Sequence, residues 1–173
     1  MKKLTSQEIY NGRVIRVVND RVLLDNGVET EREVVRHKGA AAVVAVDNDE
    51  DLLVVEQYRY PIERSMLELP AGIIDEGETP LACAQRELLE ETGFTAKDWK
   101  LLLSFYPSAG VHDEIMHLYL ATGLEHKDAQ HLDHDEILTV RKVPFYEVYE
   151  QAQNGEIQDG KTIMGVLLAE RFI

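Results

Sequence analysis

The sequence predicts an α/β fold with a small antiparallel β unit at its N-terminal end. Two apolar runs, residues 40–46 and 52–60, have the length of buried strands, and the turn-forming DNDED between them predicts a hairpin. Residues 80–92 carry the end signals of a helix. Residues 9–37 combine short β-branched runs with a hairpin signal. At 173 residues, the chain is long enough for one domain with a sizeable core.

The N-terminal unit is predicted to cover residues 1–37 and to belong to the same domain as residues 38–173. Its hairpin signal, Asp25-Asn26-Gly27, follows a β-branched run and precedes a strand over residues 30–37. A row of polar residues on that strand predicts an exposed face: Arg32, Glu33, Arg36 and His37. The unit is too small to bury its apolar face well, so we expect it to pack on the main sheet or on another subunit.

The second half of the chain predicts three more strands and two more helices. The strands are expected at residues 101–106, 115–121 and 139–143, with a turn-rich loop from Pro107 to Glu114 between the first two. A helix over residues 144–154 should end at Gly155, and an apolar helix over 161–172 is expected to serve packing rather than catalysis. The histidines within residues 125–136 lack the spacing of a zinc site, which favours a solvated loop.

The helix at residues 80–92 has signals at both ends. Thr79 suits the N-cap, Pro80 suits the first helical position, and Gly93 suits the left-handed position just past the end. A narrow apolar stripe at helical spacing is predicted to face the core, and consists of Leu81, Ala84 and Leu88. Cys83, the only cysteine in the sequence, is expected to fill space in this helix, and a single cysteine suits a reducing compartment.

Three glutamates of the same helix, Glu87, Glu90 and Glu91, are spaced three and four residues apart and project from one sector. Like charges at that spacing destabilise a helix, whereas a divalent cation such as Mg²⁺ or Mn²⁺ removes the repulsion. The alternative is a solvated acidic face on which Arg86 pairs with Glu90 at i+4. The three glutamates alone leave both interpretations open.

The overall charge and the N-terminal sequence limit the possible partners. A formal net charge of −14 argues against a large basic surface for nucleic acid or anionic membrane, although a small anionic substrate can bind through metal ions. MKKLTSQEIY lacks an apolar signal core, and no apolar run approaches the roughly twenty residues needed to span a bilayer. A cytoplasmic protein is therefore expected.

The region around the helix resembles the box of the Nudix hydrolases at every defining position. The matching residues are Gly72, Glu78, Arg86-Glu87-Leu88, Glu90-Glu91 and Gly93-Phe94. The resemblance implies an α/β/α sandwich with a mixed β-sheet, in which a loop–helix–loop holds Mg²⁺ or Mn²⁺ against a pyrophosphate. It implies that the metal ligands are Glu87, Glu90, Glu91, Glu114 and the Ala71 carbonyl. The catalytic candidates are Glu114 and Glu90, with Arg86 orienting a glutamate.

Three further stretches, REVVRHKGAAAVVAV, EQYRYPIER and LELPAG, are similar to those of bacterial ADP-ribose pyrophosphatases. This resemblance implies a homodimer and a substrate site comprising Arg59, Arg32, Glu33, Arg36 and Glu63. One departure is Ser108-Ala109-Gly110, where the family usually has Ser-Pro-Gly. GDP-mannose or another nucleotide sugar is therefore an alternative substrate.

Two other functions are alternatives to the hydrolysis of a small nucleotide derivative. A non-catalytic nucleotide-binding module of the same fold would be expected to lack one or more box carboxylates, and this chain retains all of them. An RNA pyrophosphohydrolase would be expected to carry a basic surface, which the acidic composition disfavours. Hydrolysis of a small nucleoside diphosphate derivative is the favoured prediction.

Overall fold

A computed structural model describes residues 1–127, 130, 132 and 137–173. The chain forms two compact units, which are described in turn. The first comprises Met1–Gly39 with Phe105–Ile115, and the second comprises Ala40–Ser104 with Met116–Ile173. Most of the segment predicted as a solvated loop, residues 128–129, 131 and 133–136, lies outside the described residues.

The first unit contains a three-stranded antiparallel sheet in the order β1-β2-β3. The strands are β1 (Lys2–Asn11), β2 (Arg16–Leu23) and β3 (Glu29–Arg36). The predicted hairpin is confirmed: Gly27 has φ +82°, and its N–H donates to the Leu24 carbonyl at 3.0 Å. Strand β1 was not predicted, because all ten of its residues are exposed and its sequence has no apolar alternation to signal a strand.

Two features complete the first unit. Strand β2 buries Val18, Asp20 and Val22, which share one face at the two-residue period of a strand. Residues 105–115 attach to β3 by backbone hydrogen bonds on both sides of Val35, whose N–H donates to the Val111 carbonyl at 2.8 Å and whose carbonyl accepts from Asp113 at 3.1 Å. The loop over residues 106–115 is therefore held to the end of β3.

The second unit contains a mixed sheet with three helices. Its strands are β4 (Ala40–Val46), β5 (Asp51–Arg59), β6 (Arg64–Glu68), β7 (Ala71–Ile73), β8 (Phe94–Phe105), β9 (Met116–His126) and β10 (Leu138–Pro144). The main order is β10-β5-β4-β9-β8, with β6 beside β5 and β7 beside β4. Strands β4 and β9 are parallel, whereas β4–β5, β4–β7, β5–β6 and β5–β10 are antiparallel. The predicted mixed α/β architecture is confirmed.

The helices are α1 (Pro80–Thr92), α2 (Phe145–Gln153) and α3 (Gly160–Ala169), and a 3₁₀ turn follows α3 at Glu170–Phe172. Among the described residues, no helix combines the length and the apolar composition needed to cross a membrane. The prediction missed the short strands β6 and β7, because their few residues carry too little periodicity. It also began β8 seven residues late, since the polar residues after Phe94 conceal the start of that strand.

The core of the second unit is built on β4, all of whose residues are buried. Helix α1 covers it with Cys83, Ala84 and Leu88. Leu81, predicted to face the core, is 36% exposed, so that part of the prediction is wrong. At 100° per residue the buried residues of α1 centre on the sector of Glu87 and Glu91, and Leu81 lies at its margin in the first turn. The predicted stripe is therefore confirmed at Ala84 and Leu88 and wrong only at Leu81.

Helix α3 packs closely on the sheet at Gly165. A Cβ atom at this position would lie 2.5 Å from Leu69 Cδ1 and 2.9 Å from Val44 Cγ2. Further along the same contact, the buried Thr162 Oγ1 accepts a hydrogen bond from the Leu69 N–H at 2.9 Å. Helix α3 therefore contacts the segment that leads into β7.

We expect Gly165→Val to destabilise the protein by about 1–3 kcal/mol, because the side chain must displace Leu69 and Val44 in a filled core. Gly160→Val is the matched control: it makes the same change in the same helix, where nothing lies within 4 Å of the added Cβ. The measurement is chemical denaturation of both variants. Equal stabilities would contradict the close packing of α3.

Candidate active site

Helix α1 begins and ends at the predicted residues. The Thr79 side chain accepts a hydrogen bond from the Ala82 N–H at 3.2 Å, and Pro80 is the first helical residue. Gly93 has φ +76°, and its N–H donates to the Leu89 carbonyl at 2.8 Å. Both caps satisfy backbone groups that a helix end leaves unpaired, so they fix the register of the acidic residues between them.

Two of the three acidic residues are buried. Glu87 is 8% exposed and Glu91 is 2% exposed, whereas the Glu90 side chain is 41% exposed. One oxygen of Glu91 accepts a hydrogen bond from the Ala71 N–H at 3.0 Å, which ties α1 to β7. A fully solvated acidic face is therefore excluded for Glu87 and Glu91. Burial of ionised carboxylates is costly unless they are paired, so the pairing of this face determines its stability.

Gly72 makes room for the Glu87 carboxylate. A Cβ atom at this position would lie 1.8 Å from Glu87 Oε1 and 2.0 Å from its carboxyl carbon. The requirement for glycine at this box position is therefore one of close approach to a side chain. Strand β7 pairs with β4 at Gly72 and Ala41, which holds the backbone in place beneath the carboxylate.

Arg86 connects the helix to the preceding loop. Its Nη1 donates to Glu87 at 2.6 Å and to Glu90 at 3.0 Å, while its Nε and Nη2 both donate to Glu78 at 3.0 Å. Nη2 also donates to the Ile73 carbonyl at 3.1 Å. The hydrogen bond to Glu78, more than any other contact, raises the pKa of Arg86, and the same bond lowers the pKa of Glu78. Arg86 thus fixes three glutamates at once, as an orienting residue would.

The box carboxylates have the chemistry of a divalent-cation site, since Mg²⁺ and Mn²⁺ prefer carboxylate oxygens. Among residues 1–127, 130, 132 and 137–173, no three His, Cys, Asp or Glu side chains are already gathered closely enough to hold a metal ion. Arg86 Nη1 donates to one oxygen of Glu87 and to one oxygen of Glu90, so a cation bound by these residues would share the two carboxylates with Arg86.

Arg59 lies at the end of β5 and binds a buried carboxylate. Its Nε and Nη2 donate to the two oxygens of Glu68 at 2.6 and 2.7 Å, and Lys161 donates to the same carboxylate. The hydrogen bond to Glu68 is the main cause of the raised pKa of Arg59, and the charge of Glu91 contributes as well. The residue predicted to bind substrate is therefore held beside the box by Glu68 and Lys161, which the prediction missed.

The other predicted substrate residues are divided between the two units. In the first unit, Arg32 and Glu33 are exposed, and Arg32 donates to its strand neighbours Thr30 and Glu31. Arg36 is partly buried, and its guanidinium donates to Asp20 at 3.2 Å and to Asp113 at 2.9 Å. In the second unit, Glu63 is exposed and has φ +53°. Arg36 thus has a structural role that its place in a polar row did not predict.

Glu114 belongs to the first unit, where two histidines flank it. Its oxygens lie 3.3 Å from His112 Nδ1 and 3.8 Å from His37 Nδ1, and the two rings are 5.4 Å apart. His37 Nδ1 accepts a hydrogen bond from the Gly39 N–H at 3.1 Å. The sequence prediction placed His112 in this loop and His37 on the strand but gave neither a role beside Glu114.

Fold and box together define a hydrolase of the Nudix class. The family model described as NUDIX domain matches residues 36–165, and the chain belongs to this family. Nudix hydrolases in general require divalent cations, and the ADP-ribose pyrophosphatases among the relatives act on small nucleotide substrates. The match includes the whole of β4, α1 and the Arg59–Glu68 pair.

Several characterised proteins are similar to this chain. The methanol dehydrogenase activator of Bacillus methanolicus is 42% identical over 166 residues, covering 95% of this chain and 90% of that protein. The ADP-ribose pyrophosphatase of Bacillus subtilis (strain 168) is 39% identical with the same coverage. The GDP-mannose pyrophosphatase of Enterobacter sp. (strain 638) is 29% identical, with 87% and 92% covered. A crystal structure of an ADP compounds hydrolase shares the fold, with a TM-score of 0.84, 23% identity and coverage of 99% and 92%.

We expect Gly72→Ala to lower turnover by about 100-fold, because the new methyl group displaces the Glu87 carboxylate by an ångström or more. The fold should survive, since the clash involves the end of a side chain. Gly160→Ala, where nothing lies within 4 Å, is the control. Steady-state kinetics and circular dichroism of both variants check this. Full activity in Gly72→Ala would contradict a role for the position of Glu87.

Proposed function

We propose that the protein hydrolyses the pyrophosphate bond of ADP-ribose and releases AMP and ribose 5-phosphate. The observation that carries the proposal is the buried pair Glu87 and Glu91, held by Arg86 and the Ala71 N–H within an intact Nudix box. Two buried carboxylates on one helix face are costly for stability and suit a cation-dependent site. If the helix had only a structural role, replacing the two carboxylates with apolar residues would make the protein more stable.

Each box residue has a proposed role. Glu87, Glu90, Glu91 and the Ala71 carbonyl would hold Mg²⁺, or Mn²⁺, and the bound cation would neutralise the phosphates and lower the pKa of a bound water. Arg86 keeps Glu87 and Glu90 in place through its Nη1. Glu114 is proposed to bind the cation or to accept the proton of the attacking water, a role supported by the family resemblance.

For the substrate we assign the pyrophosphate to Arg59, whose guanidinium is presented beside the box. Arg32 and Glu33 are exposed and suit contacts with the adenosine or ribose groups, and Glu63 is exposed as well. Arg36 is already shared by Asp20 and Asp113, so its proposed role is to position Asp113, the neighbour of Glu114. Arg36 lowers the pKa of Asp113, against the opposing effect of burial, and so keeps it ionised.

The choice of ADP-ribose over another nucleotide sugar rests on similarity to the ADP-ribose pyrophosphatase of Bacillus subtilis. The departure at Ala109, where the family usually has proline, is the reason that GDP-mannose is kept as an alternative. In this loop the N–H groups of Val111 and His112 both donate to the Ser108 carbonyl, at 3.1 and 2.9 Å, so the turn closes without the family proline. A turn that closes without proline gives no reason to expect a changed substrate.

The methanol dehydrogenase activator matches the same share of this chain as the ADP-ribose pyrophosphatase. Overall similarity therefore does not separate a hydrolase whose role is to cleave ADP-ribose from one that also activates another protein. The complete set of box carboxylates favours hydrolysis, since a protein that acts only by contact has no need to bury Glu87 and Glu91.

We expect the purified protein with Mg²⁺ to hydrolyse ADP-ribose faster than GDP-mannose, other nucleotide sugars or NAD⁺. The measurement is phosphate release by a phosphatase that acts only on the monophosphate products. EDTA should abolish the activity, and added Mg²⁺ should restore it. A preference for GDP-mannose would contradict the proposed substrate but not the proposed type of reaction. No hydrolysis of any compound, with Mn²⁺ as well, would overturn the enzymatic proposal.

Three variants test whether the hydrolysis depends on the proposed site. Glu91→Gln and Glu114→Gln should each lower turnover by at least about 100-fold, while Glu147→Gln, the same change at an exposed position of α2, should not. If Glu114→Gln alters only the KM, Glu114 binds substrate, and the proton acceptor is Glu90 or one of its neighbours.

We also propose a homodimer built partly by residues 1–37. Strand β1 is an edge strand of its sheet, and its ten residues are all exposed, including the apolar Leu4, Ile9 and Tyr10. Leu4 and Ile9 lie at the two register shifts in the pairing with β2, as expected of β-bulges. An exposed edge with apolar side chains is a surface on which two copies can associate.

We expect light scattering to give twice the monomer mass, and Ile9→Lys to shift the protein toward the monomer, because a buried charge would face the apolar interface. Leu167→Lys, which introduces the same charge at an exposed leucine of α3, is the control. A monomer in the unmodified protein, or equal dimer masses in both variants, would contradict an interface at β1.

A further inference from the structure

A group of four charged residues surrounds the start of α3 and the end of β6. Glu68 is 1% exposed, and both of its oxygens are paired with Arg59, at 2.6 and 2.7 Å. Lys161 donates to the same carboxylate and lies 3.0 Å from Asp159. Asp159 in turn caps α3 by accepting from the Thr162 N–H at 3.0 Å. A continuous series of ion pairs thus leads from α3 to Arg59.

The contacts of Glu68 constrain the orientation of Arg59. Its carboxylate binds the Nε and Nη2 edge of the guanidinium, so the planar fork directs its remaining N–H bonds away from Glu68. The Arg59 side chain is 41% exposed, whereas that of Lys161 is only 11% exposed. Arg59 is therefore the member of the series that can reach a ligand, and Glu68 is its support.

The charges of the series explain the presence of the buried lysine. Glu68 binds Arg59 through both of its oxygens, and Lys161 adds a second cation to the same buried carboxylate. Asp159 lies beside Lys161, so the four residues together carry no net charge and Lys161 joins the support of Arg59 to the start of α3. Burial opposes ionisation of Glu68, but the hydrogen bonds and charges of Arg59 and Lys161 outweigh it and lower its pKa. Glu68 therefore remains ionised at neutral pH and continues to hold Arg59.

We propose that Glu68 and Lys161 are positioning residues that orient Arg59 toward the pyrophosphate of the substrate. The inference rests on the proposed function in one respect, namely that Arg59 contacts the pyrophosphate. It gives α3 a role in the site, although the sequence predicted a packing helix. A purely structural role for Lys161 would make the opposite prediction, because its loss would then affect the protein whether or not Arg59 is present.

The test is a double-mutant cycle on kcat/KM with the variants Lys161→Met, Arg59→Ala and the two combined. Lys161→Met should lower kcat/KM about tenfold in the unmodified protein and less than about twofold when Arg59 is already alanine. Lys161→Arg should retain most of the activity, because it preserves the charge beside Glu68. Equal losses in the two backgrounds, or no loss from Arg59→Ala, would overturn the proposal.

Lys142→Met is the matched control. Lys142 donates to Asp47 at 2.7 Å in the same unit. Asp47 follows the C-terminal end of β4, whereas β7 pairs with the N-terminal end of β4 at Ala40–Ala42. The change removes one lysine–carboxylate pair and should leave kcat/KM within about twofold. Thermal denaturation of each variant separates a lost fold from a lost orientation. Glu68→Gln provides a second cycle with Arg59→Ala if Lys161→Met does not fold.

The kinetic cycle is run on whichever compound the unmodified protein hydrolyses fastest, so a wrong substrate in the proposed function leaves the test intact. Calorimetric titration with ADP-ribose in EDTA repeats the cycle without turnover. A protein that binds ADP-ribose but does not hydrolyse it would overturn the proposed function, and coupling between Lys161 and Arg59 in that titration would still support the positioning role. Equal losses of affinity in both backgrounds would overturn it.

Discussion

Burying a carboxylate costs several kcal/mol unless its oxygens are paired, and α1 buries two in the face that covers β4. The neighbouring residues reduce this cost. Gly72 leaves space for Glu87, the Ala71 N–H donates to Glu91, and Arg86 brings a positive charge to Glu87 and Glu90. Each of these contacts lowers the cost of a buried charge, and several of them share the same carboxylates, so the box behaves as one cooperative unit.

The same constraint explains why the loop before α1 is fixed. Arg86 would be only a local i,i+4 partner of Glu90 if it had no other contacts. Glu78 accepts from Nε and Nη2 of Arg86, and the Ile73 carbonyl also accepts from Nη2. The guanidinium of Arg86 therefore connects the loop, β7 and the helix. The Asp75 N–H donates to Glu78 at 3.0 Å, which extends the connection along the loop. The position of the acidic residues is thus set by hydrogen bonds whose partners lie on three different segments.

The sequence predicted the features of the fold that depend on local signals. Thr79, Pro80 and Gly93 delimit α1 because capping is a property of neighbouring residues. Ala84 and Leu88 face the core as predicted, but the burial of Glu87 and Glu91 beside them was not predicted, since periodicity does not assign carboxylates to a buried face. The pairing of Glu68 with Lys161 was missed because the two residues are 93 positions apart and leave no local pattern. Two signals were present: a single acidic residue among the leucines of LELPAG, and a single lysine at the start of an apolar helix. Strand β1 was missed because no alternation marks it.

The two charged networks of the second unit meet at one short segment. Glu68 ends β6 and orients Arg59, while Ala71 and Gly72 in β7 support Glu91 and Glu87. Between them, the Leu69 N–H donates to Thr162 of α3, and the Pro70 carbonyl accepts from the Val43 N–H of β4. Five consecutive residues therefore set the relative positions of a cationic and an anionic group. A cation-dependent reaction on a pyrophosphate needs both groups at a fixed separation, and a segment held by a helix and a buried strand provides that rigidity.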